Sequence, residues 1–124
     1  MDVTPLIPAG RQVIESYGTA GFRVSGTAHA GSILVFIDKT LVWPVAKIEE
    51  ITTDALMPVA ARGDIEILLL GCGRRMMPVP AELRRALREK GVVLDAMDTG
   101  AACRTYNILL SEERRVAAAL IKPI

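Results

Sequence analysis

With 124 residues, the chain is long enough for one domain, residues 1–124, to bury a core without disulfides or metals. It is 51% hydrophobic but only 4% aromatic, with 15 basic against 14 acidic side chains and a net charge of +1. That excludes intrinsic disorder, demands an aliphatic core, and supplies neither the charge nor the stacking rings that nucleic-acid binding needs.

Residues 1–10 carry Pro5, Pro8 and Gly10 and read as an extended lead-in. Met1 to Pro5 has no basic run leading into an apolar one, so no signal peptide is expected. No apolar stretch approaches the roughly 20 residues of a membrane helix. Stable membrane insertion is therefore not expected, and the cytoplasm is the expected location. Arg11 to Tyr17 alternates in character and reads as a strand, Gly18 and Gly21 bracket a turn, and Phe22 to Val24 reads as a short second strand. Residues 26–31, with two glycines and His29, read as a loop. Ile33 to Ile37 is β-branched and aromatic, hence a strand. Asp38 and Lys39 turn it into Thr40 to Trp43, which Pro44 marks as an edge or an end. This half predicts an antiparallel meander. Thr53 and Asp54 offer a cap for a short helix over Ala55 to Val59, which Pro58 limits.

From Ile65 the grammar changes. Ile65 to Leu70 is an uninterrupted β-prone run and reads as the central strand. Pro80 to Lys90 opens on proline and stops at Gly91, as a helix should. Its apolar stripe is Val79, Leu83 and Leu87, and Arg84, Arg85, Arg88 and Lys90 form a solvated basic face. Val92 to Met97 is the next strand, which completes a right-handed parallel βαβ unit. Asp98 or Thr99 caps a helix from about Gly100 to Leu110. Three alanines favour helix over Val116 to Ile121, but Lys122 and Pro123 close it and a second βαβ step covers the sheet, so a strand is predicted. The whole is an α/β fold with a mixed β-sheet, antiparallel N-terminal strands and C-terminal βαβ units.

Residues that follow parallel strands share one rim. Here that rim gathers Gly71, Cys72, Gly73, Arg74 and Arg75 with Asp98, Thr99, Cys103 and Arg104, and Tyr106 and Asn107 follow on the same helix. Glycine backbone, a helix N-terminus and arginine forks make a candidate pocket for a small anion, carboxylate or phosphate. Its members are Gly71, Cys72, Gly73, Arg74, Thr99, Cys103, Arg104, Tyr106 and Asn107. A plainer alternative stands beside it: the glycines only release the chain from a crowded strand, and the arginines are solvated or paired with Asp98. The dinucleotide fingerprint fails, because Met76 replaces its last small residue and Pro78 and Pro80 separate the glycines from the helix. No cofactor is implied. Cys72 and Cys103 stand 31 apart, which is neither a redox nor a metal spacing, and no metal site is expected with one histidine. Both thiols read as buried in a reducing compartment. Cys103 also lies near a helix N-terminus and beside Arg104, which favours a thiolate, but His29 is no placed base. Trp43 is either an exposed hot spot or the closure of one core end. Met76 and Met77 are either an adaptable contact surface or a plug.

The stretch MDTGAACRTYNIL from Met97 to Leu109, continued by Glu113 to Leu120, resembles a family of unknown function found in bacteria and archaea. So does Leu68 to Gly73 with the Pro80 helix behind it. That family includes a mitochondrial respiratory complex I assembly factor and an adipogenesis-associated protein. The resemblance implies a compact three-layer single domain, a final strand rather than a final helix, and a protein partner. It supplies no catalytic residues. The chain lacks an Arg- and Ser-rich presequence, so a bacterial cytoplasmic member is expected rather than a mitochondrial one. Two functions follow. The preferred one is a non-catalytic protein-interaction or assembly-factor-like domain. The alternative is a small-molecule or anion-binding protein, or an enzyme, that uses the rim of residues 71–75 and 98–107.

Overall fold

The computed structural model describes Ile7 and residues 9–124; the rest of the expected lead-in over residues 1–10 lies outside the described residues. The chain begins with a three-stranded antiparallel meander, β1 (Ile14–Gly18), β2 (Gly21–Val24) and β3 (Thr27–His29). His29 therefore belongs to a strand, not to the predicted loop. The two residues between β2 and β3, Ser25 and Gly26, have φ of 43° and 86°. That pair of positive values is what a tight hairpin turn matching the strand twist needs. Gly21 is required for a different reason: a Cβ there would collide with the His29 carbonyl oxygen.

Next come β4 (Ile33–Val35) and β5 (Thr40–Val42), two 3-10 turns at Ile48–Glu50 and Asp54–Leu56, and the single-turn α1 (Met57–Ala60) with Pro58 in its first turn. β6 (Ile67–Gly71), α2 (Ala81–Arg88), β7 (Val93–Met97), α3 (Thr99–Ser111) and β8 (Val116–Leu120) complete the chain. The N-terminal half is not one meander. β4 and β5 leave it and join a five-stranded sheet in the order β5-β4-β8-β6-β7. β6 is parallel to both β7 and β8, whereas β4 is antiparallel to β5 and β8. The centre of this mixed sheet is β8, and β6 lies one place off it.

The two βαβ crossovers step in opposite directions from β6 and β7. Crossovers of one hand that do so must lie on opposite faces of the sheet, and α2 and α3 do. On one face Leu68, Leu70, Ala117 and Ala119 pack with Leu83 and Leu87 of α2 and with Trp43, Leu56 and Val59. On the other, Leu69, Val116, Ala118 and Leu120 pack with Ala102, Tyr106 and Leu110 of α3 and with Ile14, Phe22 and Val24 of the meander. The result is a three-layer α/β domain. All five residues of β8 are buried. Its alanines adopt a strand because both faces are covered closely, which outweighs their helix preference.

Bulk in β8 should therefore be costly. Ala118→Leu is expected to lower the unfolding free energy by about 1–3 kcal/mol, read as a reduced urea midpoint. Ala81→Leu, at an exposed position of α2, should leave the midpoint almost unchanged.

Candidate functional site

The carboxyl ends of β6, β7 and β8 meet at one rim, and Thr99 sits at its centre with none of its surface exposed. Its hydroxyl accepts the Gly73 N–H at 2.8 Å and donates to the Ile121 carbonyl at 2.6 Å, while its own N–H donates to the Gly73 carbonyl at 2.8 Å. Gly71 allows this approach: a Cβ there would lie 2.9 Å from both Cα and Oγ1 of Thr99. Asp98 is the helix cap, its Oδ1 accepting the Ala101 N–H at 2.9 Å. The first turn of α3 is thus engaged by a carbonyl and a carboxylate of the protein itself.

Further along α3, the predicted site residues face the meander. Asn107, 1% exposed, accepts the Ile14 N–H at 3.1 Å and donates to the Ile14 carbonyl at 2.7 Å. Tyr106 donates to the Gln12 carbonyl at 3.0 Å, and burial pushes its phenol above the ordinary range. Arg104 donates to the Tyr17 hydroxyl at 2.6 Å, and the Tyr17 ring lies over Gly100, where a Cβ would come within 2.8 Å of its oxygen. Cys103 is wholly buried, and burial pushes its thiol up to about 12, outweighing the opposite pull of Arg104. The helix N-terminus and neighbouring guanidinium that favour a thiolate are overridden by desolvation. Cys72 packs on the α2 face and Cys103 on the α3 face, both unpaired, so the sheet separates them. Burial raises the Cys72 thiol as well.

The nine predicted residues therefore divide. Gly71 and Thr99 form a closed joint, and Cys103, Arg104, Tyr106 and Asn107 clasp α3 to the meander. Cys72, Gly73 and Arg74 instead line an open cleft of about 390 Å³, with Arg75, Lys47 and Lys122. A neighbouring cleft of about 580 Å³ is lined by Trp43, Pro44, Val45, Ala46 and Pro123 among others. Trp43 is both core and wall: it is 3% exposed, and its indole N–H donates to the Ala55 carbonyl at 2.9 Å. Met76 is 60% exposed, while Met77 packs on the core. Lys122 was legible but missed. A strand at 116–121 parallel to β6 puts the residue after it on the same rim. Lys47 gave no such signal, because it arrives through an irregular turn. Among the described residues, no group of three or more His, Cys, Asp or Glu is placed to hold a metal, and no helix is long and apolar enough to cross a membrane.

Fold and rim together define a three-layer α/β domain whose last helix is locked in place and whose open surface lies between the loops at the strand ends. The chain belongs to the family described as protein of unknown function (DUF498/DUF598), whose profile matches residues 14–121. It is 37% identical over 112 residues to a Danio rerio protein named NADH dehydrogenase (ubiquinone) 1 alpha subcomplex assembly factor 3, covering 90% of this chain and 64% of that protein. An uncharacterised Rhodobacter capsulatus protein is 36% identical over 113 residues, 91% of this chain and 86% of its own length. A crystal structure from Bartonella henselae, described as an outer membrane protein, superposes with a TM-score of 0.86 at 38% identity, covering 96% of this chain and all of that one. The chain spans less than two thirds of the length of the assembly factor.

Thr99→Val keeps the shape but strands the Gly73 N–H and the Ile121 carbonyl. It should cost about 2 kcal/mol or more in urea unfolding, with Thr99→Ser recovering most of that. The buried thiol gives a second test, since a thiol reagent near neutral pH should modify Cys103 in the folded protein roughly 100-fold more slowly than in the unfolded chain. The linkage sign is also fixed: above about 8.5 an unfolded thiol ionises, whereas Cys103 stays neutral up to about 12. Stability should fall as pH climbs through that window, and less so in Cys103→Ala, measured as the pH dependence of the urea midpoint.

Proposed function

We propose that this domain is a non-catalytic docking module with an assembly-factor-like role, holding a partner protein at the carboxyl-end loops of the sheet. The observation that carries this reading is the apolar cleft of about 580 Å³ beside Trp43. An apolar hollow walled by a tryptophan and two prolines is the kind of surface that anchors a partner side chain. Two of its polar walls are already occupied: Ser32 Oγ accepts the Lys122 N–H at 3.0 Å, and Glu50 accepts the Ala46 N–H at 2.7 Å. The name of the Danio rerio relative supports a protein partner.

A photo-crosslinking residue at Ala46, compared with one at exposed Glu89 on the far end of α2, tests the reading in the native host. A discrete protein adduct is expected from position 46 and not from 89. Filling the cleft with Ala46→Trp, at an exposed position, should weaken that partner's binding by about tenfold or more. Equal adducts from positions 46 and 89, or a partner indifferent to a filled cleft, would refute it.

A further inference from the structure

We infer that the segment held in the apolar cleft is an acidic one: a short partner peptide with one or two large apolar residues beside a run of Asp or Glu. This rests on the docking reading above and names the chemistry of its partner. The apolar cleft does not end at Ala46. There and at Lys122 it continues into the second cleft, and both residues line both hollows. The second cleft carries four side-chain cations, Lys47, Arg74, Arg75 and Lys122, against one side-chain carboxylate, Glu49, with Glu50 on the wall of the adjoining one. In a chain whose net charge is only +1, that is a local concentration of positive charge.

Three arginines at the opposite end of the sheet are paired. Arg62 sits 2.7 Å from Asp38 and 2.9 Å from Asp64, and Arg114 and Arg115 both reach Glu66. Among the described residues, no ion pair engages the four at the cleft. They come from three separate segments, following β5, β6 and β8, and meet only because the strand ends meet. Like charges gathered this way repel one another unless an anion relieves them. The floor beneath them is apolar, with Met77 and Ile121. A free anion would use the charges and leave the apolar continuation empty. An acidic peptide with an apolar anchor uses both.

The test is selection of random twelve-residue peptides displayed on phage against the intact domain, followed by affinity measurements on synthetic versions of the enriched sequences. Enriched peptides should place acidic residues next to a large apolar one. Their affinity should fall about tenfold or more when Lys47, Arg74, Arg75 and Lys122 are all changed to Glu, and should fall steeply with added salt. The four side chains are exposed or half-exposed, so an unchanged thermal midpoint confirms that the variant is folded. Peptides that lose binding in Ala46→Trp but show no acidic bias and bind the reversed variant equally would overturn this inference while sparing the docking reading. Acidic peptides that ignore Ala46→Trp would overturn the joined groove. A domain that enriches no peptide would sink both.

Discussion

One hydroxyl closes the carboxyl end of the sheet. Where β6 and β8 run out, the Gly73 N–H and the Ile121 carbonyl have passed beyond the ladder, and a buried backbone group left unpaired there is costly. Thr99 satisfies both, accepting one and donating to the other. It can do so because Gly71 has no Cβ to hold the start of α3 away. One residue thus sets where α3 begins and how the loop after β6 leaves the sheet. It also sets where the chain after β8 goes. The exit after β8 lines both clefts and the loop after β6 lines one of them, so their shape depends on this joint.

The same helix organises the opposite layer by a different device. The Asn107 amide takes the N–H and the carbonyl of Ile14 together, which is the exchange a neighbouring strand makes with a residue facing it. A side chain in the middle of a helix thereby serves as the partner of a strand. Tyr106 holds the Gln12 carbonyl just upstream, and Tyr17 closes over Gly100 at the other end of β1. The most distinctive stretch of the sequence, Thr99 to Asn107, is largely committed to holding three layers together. Residues of unusual character need not mark a ligand. Here they mark the places where backbone groups of different layers must be satisfied across a helix.

The C-terminal half was legible because its signals are local. Pro80, Gly91 and Asp98 bound helices by their own chemistry, β6 is a continuous apolar run and β7 is one broken only by Asp95. The closing strand was legible only through topology, since Val116 to Leu120 has helix-favouring composition and becomes a strand by being covered on both faces. What failed was long-range. Nothing in Ile33 to Val42 says that it will abandon the meander and pair with a strand some eighty residues later. β3 was missed because two glycines and a histidine look like a loop, although Ser25 and Gly26 carry the signature of a hairpin turn. The rim was placed correctly at the strand ends. The direction in which each side chain leaves it was not legible, because that depends on which face of α3 meets the meander.

Charge separates what this fold needs from what it offers. Arg62 lies 4.7 Å from the Phe36 ring centroid, and its guanidinium holds the Asp64 and Asp38 carboxyls below the usual range. Arg114 does the same for Glu66. These pairs lie at the end of the sheet opposite the rim, where Arg62 ties the chain after α1 to the loop after β4 and Glu66 ties the start of β6 to the start of β8. The rim has no equivalent pairing. Four cations drawn from three segments beside an apolar hollow, none of them in an ion pair among the described residues, make an arrangement that the fold's own stability does not require. Since repulsion among the four works against folding, the arrangement makes physical sense as a surface completed by the negative charge of something else.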